Sequence, residues 1–169
     1  GNNLVVNKQN DNKVLIIPIS NNMNSSYTWS NDYSKLAYKN FQDNKIYLFD
    51  LMKWKNLSIG IGGIPQFLDN IESFYYYQKE TIKSFKYQSI CNYNIKTNIS
   101  KIIFVLPDTL DLGIYGPDFP EYSTIKKDIW KEQECFSVIL YQGVMGSENL
   151  KNYKLYFTIQ NKILGIELQ

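Results

Sequence analysis

The sequence predicts an all-β, antiparallel domain, on three observations. Aromatic residues make up 15% of the chain, with 14 Tyr and 9 Phe, and aromatic and β-branched side chains cover a pleated surface better than they fit a helix. Apolar runs are short, and each is bounded by Asn, Asp, Gly, Pro or Ser, the residues that reverse a strand. No long segment carries a helical period.

The elements follow in order. Leu4 to Val6 and Val14 to Ile17 flank a polar turn at Asn10, Asp11 and Asn12, and Pro18 ends the second run, so residues 4–19 read as a hairpin. After the Asn/Ser-rich loop Asn21 to Ser26, Lys35 to Tyr38 and Lys45 to Phe49 lie on either side of Asp43-Asn44 at hairpin spacing. Gly60, Gly62 and Gly63 before Ile64-Pro65 mark a loop or a strand corner. Phe74 to Tyr77, Ser89 to Ile95 and Lys101 to Leu106 are three further strands. Pro107, Gly113, Gly116, Pro117 and Pro120 make 108–121 a long irregular loop. A short helix is expected near 123–132, capped by Ser123 or Thr124, with Ile125, Ile129 and Trp130 on one face. Phe136 to Tyr141, Lys154 to Ile159 and Ile163 to Leu168 return to strand, the last two joined at Asn161-Lys162.

Composition excludes several function classes. At 169 residues the chain can bury a core as a single domain, 1–169, without disulfides or metal. All 18 basic residues are Lys and the net charge is +2, so bidentate guanidinium readout is impossible and no nucleic-acid footprint is visible. Histidine is absent, which removes the usual general base at neutral pH and the commonest zinc ligand. Cys91 and Cys135 match neither a zinc knuckle nor a Cys-x-x-Cys redox site; they read as buried free thiols, with a single disulfide as the alternative. No apolar run approaches the roughly 18 residues of a spanning helix, so no membrane span is expected. The opening Gly1-Asn2-Asn3, without Met, reads as a trimmed leader, and the expected location is periplasmic, cell-surface or secreted in a bacterium.

An internal repeat is visible. Trp29-Ser30-Asn31-Asp32-Tyr33-Ser34-Lys35-Leu36-Ala37-Tyr38, followed by Asn44-Lys45-Ile46-Tyr47-Leu48-Phe49-Asp50-Leu51, resembles one blade of the TolB-type or WD-like β-propellers. In that pattern a Trp-Ser-Pro-Asp-Gly turn leads into a strand and an Ile-Tyr-x-x-Asp-Leu strand follows; here Asn31 stands for the Pro and Tyr33 for the Gly. A weaker copy runs from Pro65 through Ser73 to Tyr76 and Ile90 to Thr97, and a third covers Phe136 to Tyr141 with Lys154 to Phe157. The resemblance implies propeller-like blades with repeat units 28–64, 65–104 and 105–169 after the N-terminal hairpin 4–19. It also implies that Asp32 accepts backbone N–H groups in its turn and that Trp29 packs between blades. A β-sandwich or open barrel is the alternative architecture.

Candidate sites divide into three kinds. Exposed aromatic residues are the candidate binding set: Trp54, Tyr75, Tyr76, Tyr77, Tyr115 and Trp130, whose rings supply contact area for a protein or a sugar at low entropic cost. Asp108, Asp111, Asp118 and Glu121 gather carboxylates on one loop, as calcium binding or glycoside hydrolysis would need, but their spacing matches no calcium loop. Ser147 lacks a nucleophile elbow, Gly60 to Gly63 lacks a phosphate-cradle spacing, and Lys126, Lys127 and Lys131 read as a solvated patch. No catalytic residue, metal or cofactor is expected. The reading is a non-enzymatic binding module for a protein partner or a second copy at the cell envelope. A carbohydrate- or cell-wall-binding domain is the alternative, and a carboxylate enzyme ranks third.

Overall fold

The computed structural model describes residues 2–8, 11–19, 27–68, 71–81, 88–107, 121–122, 125–142 and 151–169. It is all-β, and every strand pairing is antiparallel. Strands β1 (Asn2–Lys8) and β2 (Lys13–Ile19) form a hairpin. A seven-stranded meander follows in chain order: β3 (Tyr27–Trp29), β4 (Lys35–Asn40), β5 (Lys45–Asp50), β6 (Lys55–Gln66), β7 (Ser73–Gln78), β8 (Ser89–Asn94) and β9 (Ile99–Val105). The last sheet holds β10 (Glu121–Tyr122), β11 (Lys126–Trp130), β12 (Gln133–Gln142), β13 (Lys151–Phe157) and β14 (Ile163–Leu168). None of these sheets closes on itself. The layering fits the sandwich or open-barrel alternative.

The meander works as two sheets because β6 changes partners along its length. Its first half pairs with β5, from Asp50↔Lys55 to Lys45↔Ile61, and its second half pairs with β7, from Gly62↔Gln78 to Gln66↔Tyr75. The first sheet is therefore β3 to β6 and the second β6 to β9.

Alternation along the strands then fills three successive seams. Leu36, Tyr38 and Phe49 meet Val6 and Ile17 of the hairpin. From the opposite face of the same strands, Ala37, Ile46 and Leu48 meet Phe74, Tyr76, Cys91 and Tyr93 of the second sheet. The other face of that sheet sends Tyr77, Ile90 and Phe104 against Val138, Leu140, Leu155 and Phe157 of the last one. Phe104 and Phe157 stack at 4.2 Å between centroids, a pairing that adds about 0.5–1.5 kcal/mol beyond area burial. Two side chains tie the last seam: the Ile125 N–H donates to Gln66 Oε1 at 2.6 Å and the Val105 N–H to Asn161 Oδ1 at 2.6 Å.

The turns account for much of the asparagine. Asn12, Asn44, Asn98 and Asn161 all adopt left-handed backbone, with φ between 45° and 62°, a conformation that Asn tolerates better than other side chains. In the turn before β4 the Ser30 hydroxyl donates to Asp32 Oδ1 at 2.6 Å, and the same oxygen accepts the Ser34 N–H at 3.0 Å. Ser30 and then Ser34 hold the Asp32 carboxyl down at about 2.

One element corrects the sequence reading. The helix expected near 123–132 is not formed: 126–130 is strand β11, and residues 123–124 lie outside the described set. Lys131 and Glu132 take φ of 47° and 68°, which makes a two-residue hairpin turn and pairs Trp130 with Gln133. The four-residue spacing of Ile125 and Ile129 that mimicked a helix face splits instead: Ile125 is 1% exposed and Ile129 66%.

The corner of β6 gives a test. A Cβ on Gly62 would overlap the Tyr77 carbonyl, whereas one on Gly60 would stand 3.7 Å from the Tyr76 hydroxyl. Gly62→Ala is expected to cost about 3 kcal/mol in urea unfolding, the upper end for overpacking, and Gly60→Ala less than about 1 kcal/mol. Equal effects would place the corner elsewhere.

Candidate functional site

The seam between the first and second sheets closes deeply at one end and opens at the other. Its closed part is built from Ala37, Ile46, Phe74 and Tyr76, all under 5% exposed. Towards the β5–β6 and β8–β9 turns the walls part around a cleft of about 740 Å³. Leu48, Leu57, Ile59 and Ile95 give it an apolar floor. Their position follows from register: Leu48 sits opposite Leu57 on the pleat, and the next inward pair towards the mouth is Asp50 opposite Lys55.

The rim is cationic. Lys35 and Lys55 come from strands of the first sheet, Lys53 from the β5–β6 turn and Lys96 from the β8–β9 turn, and among the described residues Asp50 is the one carboxylate lining the cleft. Four lysines against one aspartate leave a formal +3. Lys35 Nζ lies 3.1 Å from Asp50 Oδ2, with both side chains under 20% exposed, and Lys53 reaches the same oxygen at 4.0 Å. Burial acts to raise the Asp50 pKa, but the Lys53 N–H and the Lys35 ammonium outweigh it and hold the carboxyl below its usual range. Asp50 is thus an ionised anchor for Lys35. Lys55 and Lys96, both exposed, have no ion-pair partner among the described residues.

A row of hydroxyls backs the second wall. The Tyr93 hydroxyl donates to Asn98 Oδ1 at 2.9 Å, and the Tyr76 and Ser100 hydroxyls share a hydrogen bond of 2.7 Å. Burial, opposed by the Ser100 bond, pushes the Tyr76 pKa up to about 12. The Cys91 thiol beside it donates to Gln78 Oε1 at 2.9 Å and is also pushed up by burial. A thiol raised in this way stays protonated and is a poor nucleophile. Cys135 is likewise free and buried.

The aromatic candidates point elsewhere. Tyr76 and Tyr77 are 3% and 0% exposed, so neither ring faces solvent. Tyr75 is half-buried and packs on Phe136 at 5.6 Å. Trp54, at φ 50° in the β5–β6 turn, stands edge-on to Phe49 at 4.9 Å. Trp130 lies over Gly165, where a Cβ would overlap its indole, and 4.4 Å from the Tyr156 ring. Tyr76 and Tyr77 are buried because sheets lie on both sides of β7. Tyr115 lies outside the described residues, as do Asp108, Asp111 and Asp118, and nothing is described of the Glu121 side chain.

A second cleft, of about 690 Å³, lies between Tyr75 and the tip of the last sheet, with Asp128 and Glu134 in its lining. Asp128 Oδ2 is bound by Lys154 Nζ at 2.8 Å and by the Ser137 hydroxyl at 2.7 Å. Burial acts to raise its pKa, but these partners bring it below the usual range, the opposite of what a proton donor needs. Among the described residues no three carboxylates or thiols converge as a metal site would require, and no helix is long and apolar enough to cross a membrane. No protein-family model and no curated protein matches the chain.

Sequence reasoning missed Lys35, Asp50, Lys55 and Lys96. One signal was available: Lys55 keeps the period-two phase of Leu57 and Ile59, so it lies on their inward face at the mouth of the seam.

The seam's hydroxyl gives a pH test. Tyr76 ionises near 10 when unfolded and near 12 when folded, so the folded state binds more protons between these values. Its contribution to stability is intact below pH 10 and is lost as pH rises towards 12. Tyr38, Tyr47 and Tyr93 are shifted upward too and steepen the fall. Tyr76→Phe is expected to reduce the slope of urea-unfolding stability over this window, and an unchanged slope would contradict the buried position.

Proposed function

We propose that the chain is a non-enzymatic interaction module of propeller-like build that binds a protein partner in the cleft between its first and second sheets. The cleft carries this reading: it has an apolar floor and a cationic rim in which Lys55 and Lys96 are uncommitted among the described residues, held between two stacked sheets. Concave, largely pre-formed sites of this kind are where ligands settle.

The propeller-like part rests on layering and on one turn. Each of the two meander sheets has four strands or half-strands and buries both faces against its neighbours, as blades do. Asp32 accepts the Ser34 N–H in the turn after Trp29, the role that the resemblance assigns to the turn aspartate. Against the glycan alternative, two of the rings it would use, Tyr76 and Tyr77, are buried.

Site-specific photocrosslinking tests the reading. Benzoylphenylalanine in place of Leu57, on the cleft floor, is expected to capture one protein from an extract of the source cells. The same group in place of Ile102, 53% exposed and outside the cleft, is expected to capture none. No adduct at 57, or equal adducts at both positions, would overturn it.

A further inference from the structure

Resting on that reading, we infer that the cleft takes an acidic peptide segment, with carboxylates flanking an apolar side chain. Lys35 is committed to Asp50. Lys55 on the first wall and Lys96 on the second remain without ionic partners among the described residues, and the floor of Leu57 and Ile59 belongs to the same cleft. A concave, partly apolar site concentrates the field of such cations. Its complement therefore carries negative charge towards both walls and an apolar group towards the floor.

A peptide meets both demands. Glutamate or aspartate supplies point charges, which suit lysine because an ammonium needs no planar fork. A leucine-sized side chain between them fills the floor. Nucleic acid and acidic glycans offer the charge but no leucine-like group for the floor, and single-stranded nucleic acid also calls for exposed aromatic platforms. Among the described residues the one ring lining the cleft, Tyr93, is 3% exposed.

The test is fluorescence anisotropy at low salt with a fluorescein-labelled octapeptide of six glutamates and two leucines. The intact chain is expected to bind it, and more weakly as salt is added. Lys55→Glu with Lys96→Glu is expected to weaken binding at least about tenfold. Both side chains are exposed, so an unchanged melting temperature verifies that this variant folds. Reversing Lys126 and Lys162, two exposed lysines outside both clefts, alters net charge equally and is expected to weaken binding less than about threefold. Replacing the two leucines by serine is expected to weaken binding as well.

No binding, equal weakening by both double variants, or indifference to the leucines would overturn the inference. So would heparin fragments displacing the peptide while binding tighter than it does. The crosslinking result separates the two levels: an adduct at position 57 alongside any of these outcomes leaves the module standing with a different ligand, and absence of the adduct removes the module itself.

Discussion

A single strand that serves two sheets sets the geometry of this protein. At Ile61, β6 is still bonded to β5; at Gly62 it is bonded to β7. Backbone hydrogen bonds run to both neighbours across the exchange: the Gly62 N–H donates to the Asn44 carbonyl at 3.2 Å and the Lys79 N–H donates to the Ile61 carbonyl at 3.1 Å. Only a residue without Cβ fits beside the Tyr77 carbonyl. Ile64 then takes φ of 51° and turns the strand again. A β-branched residue in that conformation costs about 1–3 kcal/mol, which the burial of Ile64 to 8% exposure helps to offset.

Face-to-face stacking follows from that corner, and the cleft follows from stacking. Both inner sheets are buried on both sides, so their strands read as continuous apolar runs such as Ser73–Gln78 rather than as alternating ones. Towards the β5–β6 turn the inward positions change from Leu48 and Leu57 to Asp50 and Lys55, and burial of charge without a full set of partners is too costly for the seam to close there. Asp50 and Lys35 satisfy each other, which leaves the mouth open and positive. The apolar floor and the cationic rim are consecutive layers of one pleat.

Much of the fold was legible in the sequence. The runs at 35–38, 45–49 and 74–77 each lie within a strand, and 101–106 overruns β9 by one residue, because short apolar segments between turn residues have few other solutions. Asn12, Asn44 and Asn161 marked turns through their tolerance of left-handed backbone. The course of β6 was harder to read, since Gly60, Gly62 and Gly63 carry the same signal whether a strand ends or changes partner. β11 was misread because Ile125 and Ile129 share a helical spacing whose outcome depended on pairing with β12. The aromatic run Tyr75 to Tyr77 read as an exposed binding set, and that both faces of its strand are covered is a tertiary fact. The cleft was hidden for the same reason: Lys55 and Lys96 are far apart in the chain, and only the stacking of two sheets brings them to one mouth.

The central claim is that the first and second sheets form one rigid unit around the β6 corner. Native-state hydrogen exchange of the amides in β4, β5, β7 and β8 tests it most directly. All four strands are predicted to exchange at the slowest rate, with a common dependence on denaturant that matches global unfolding. Exchange of β7 and β8 at a denaturant where β4 and β5 stay protected would contradict the account, because the two walls of the cleft would then open independently.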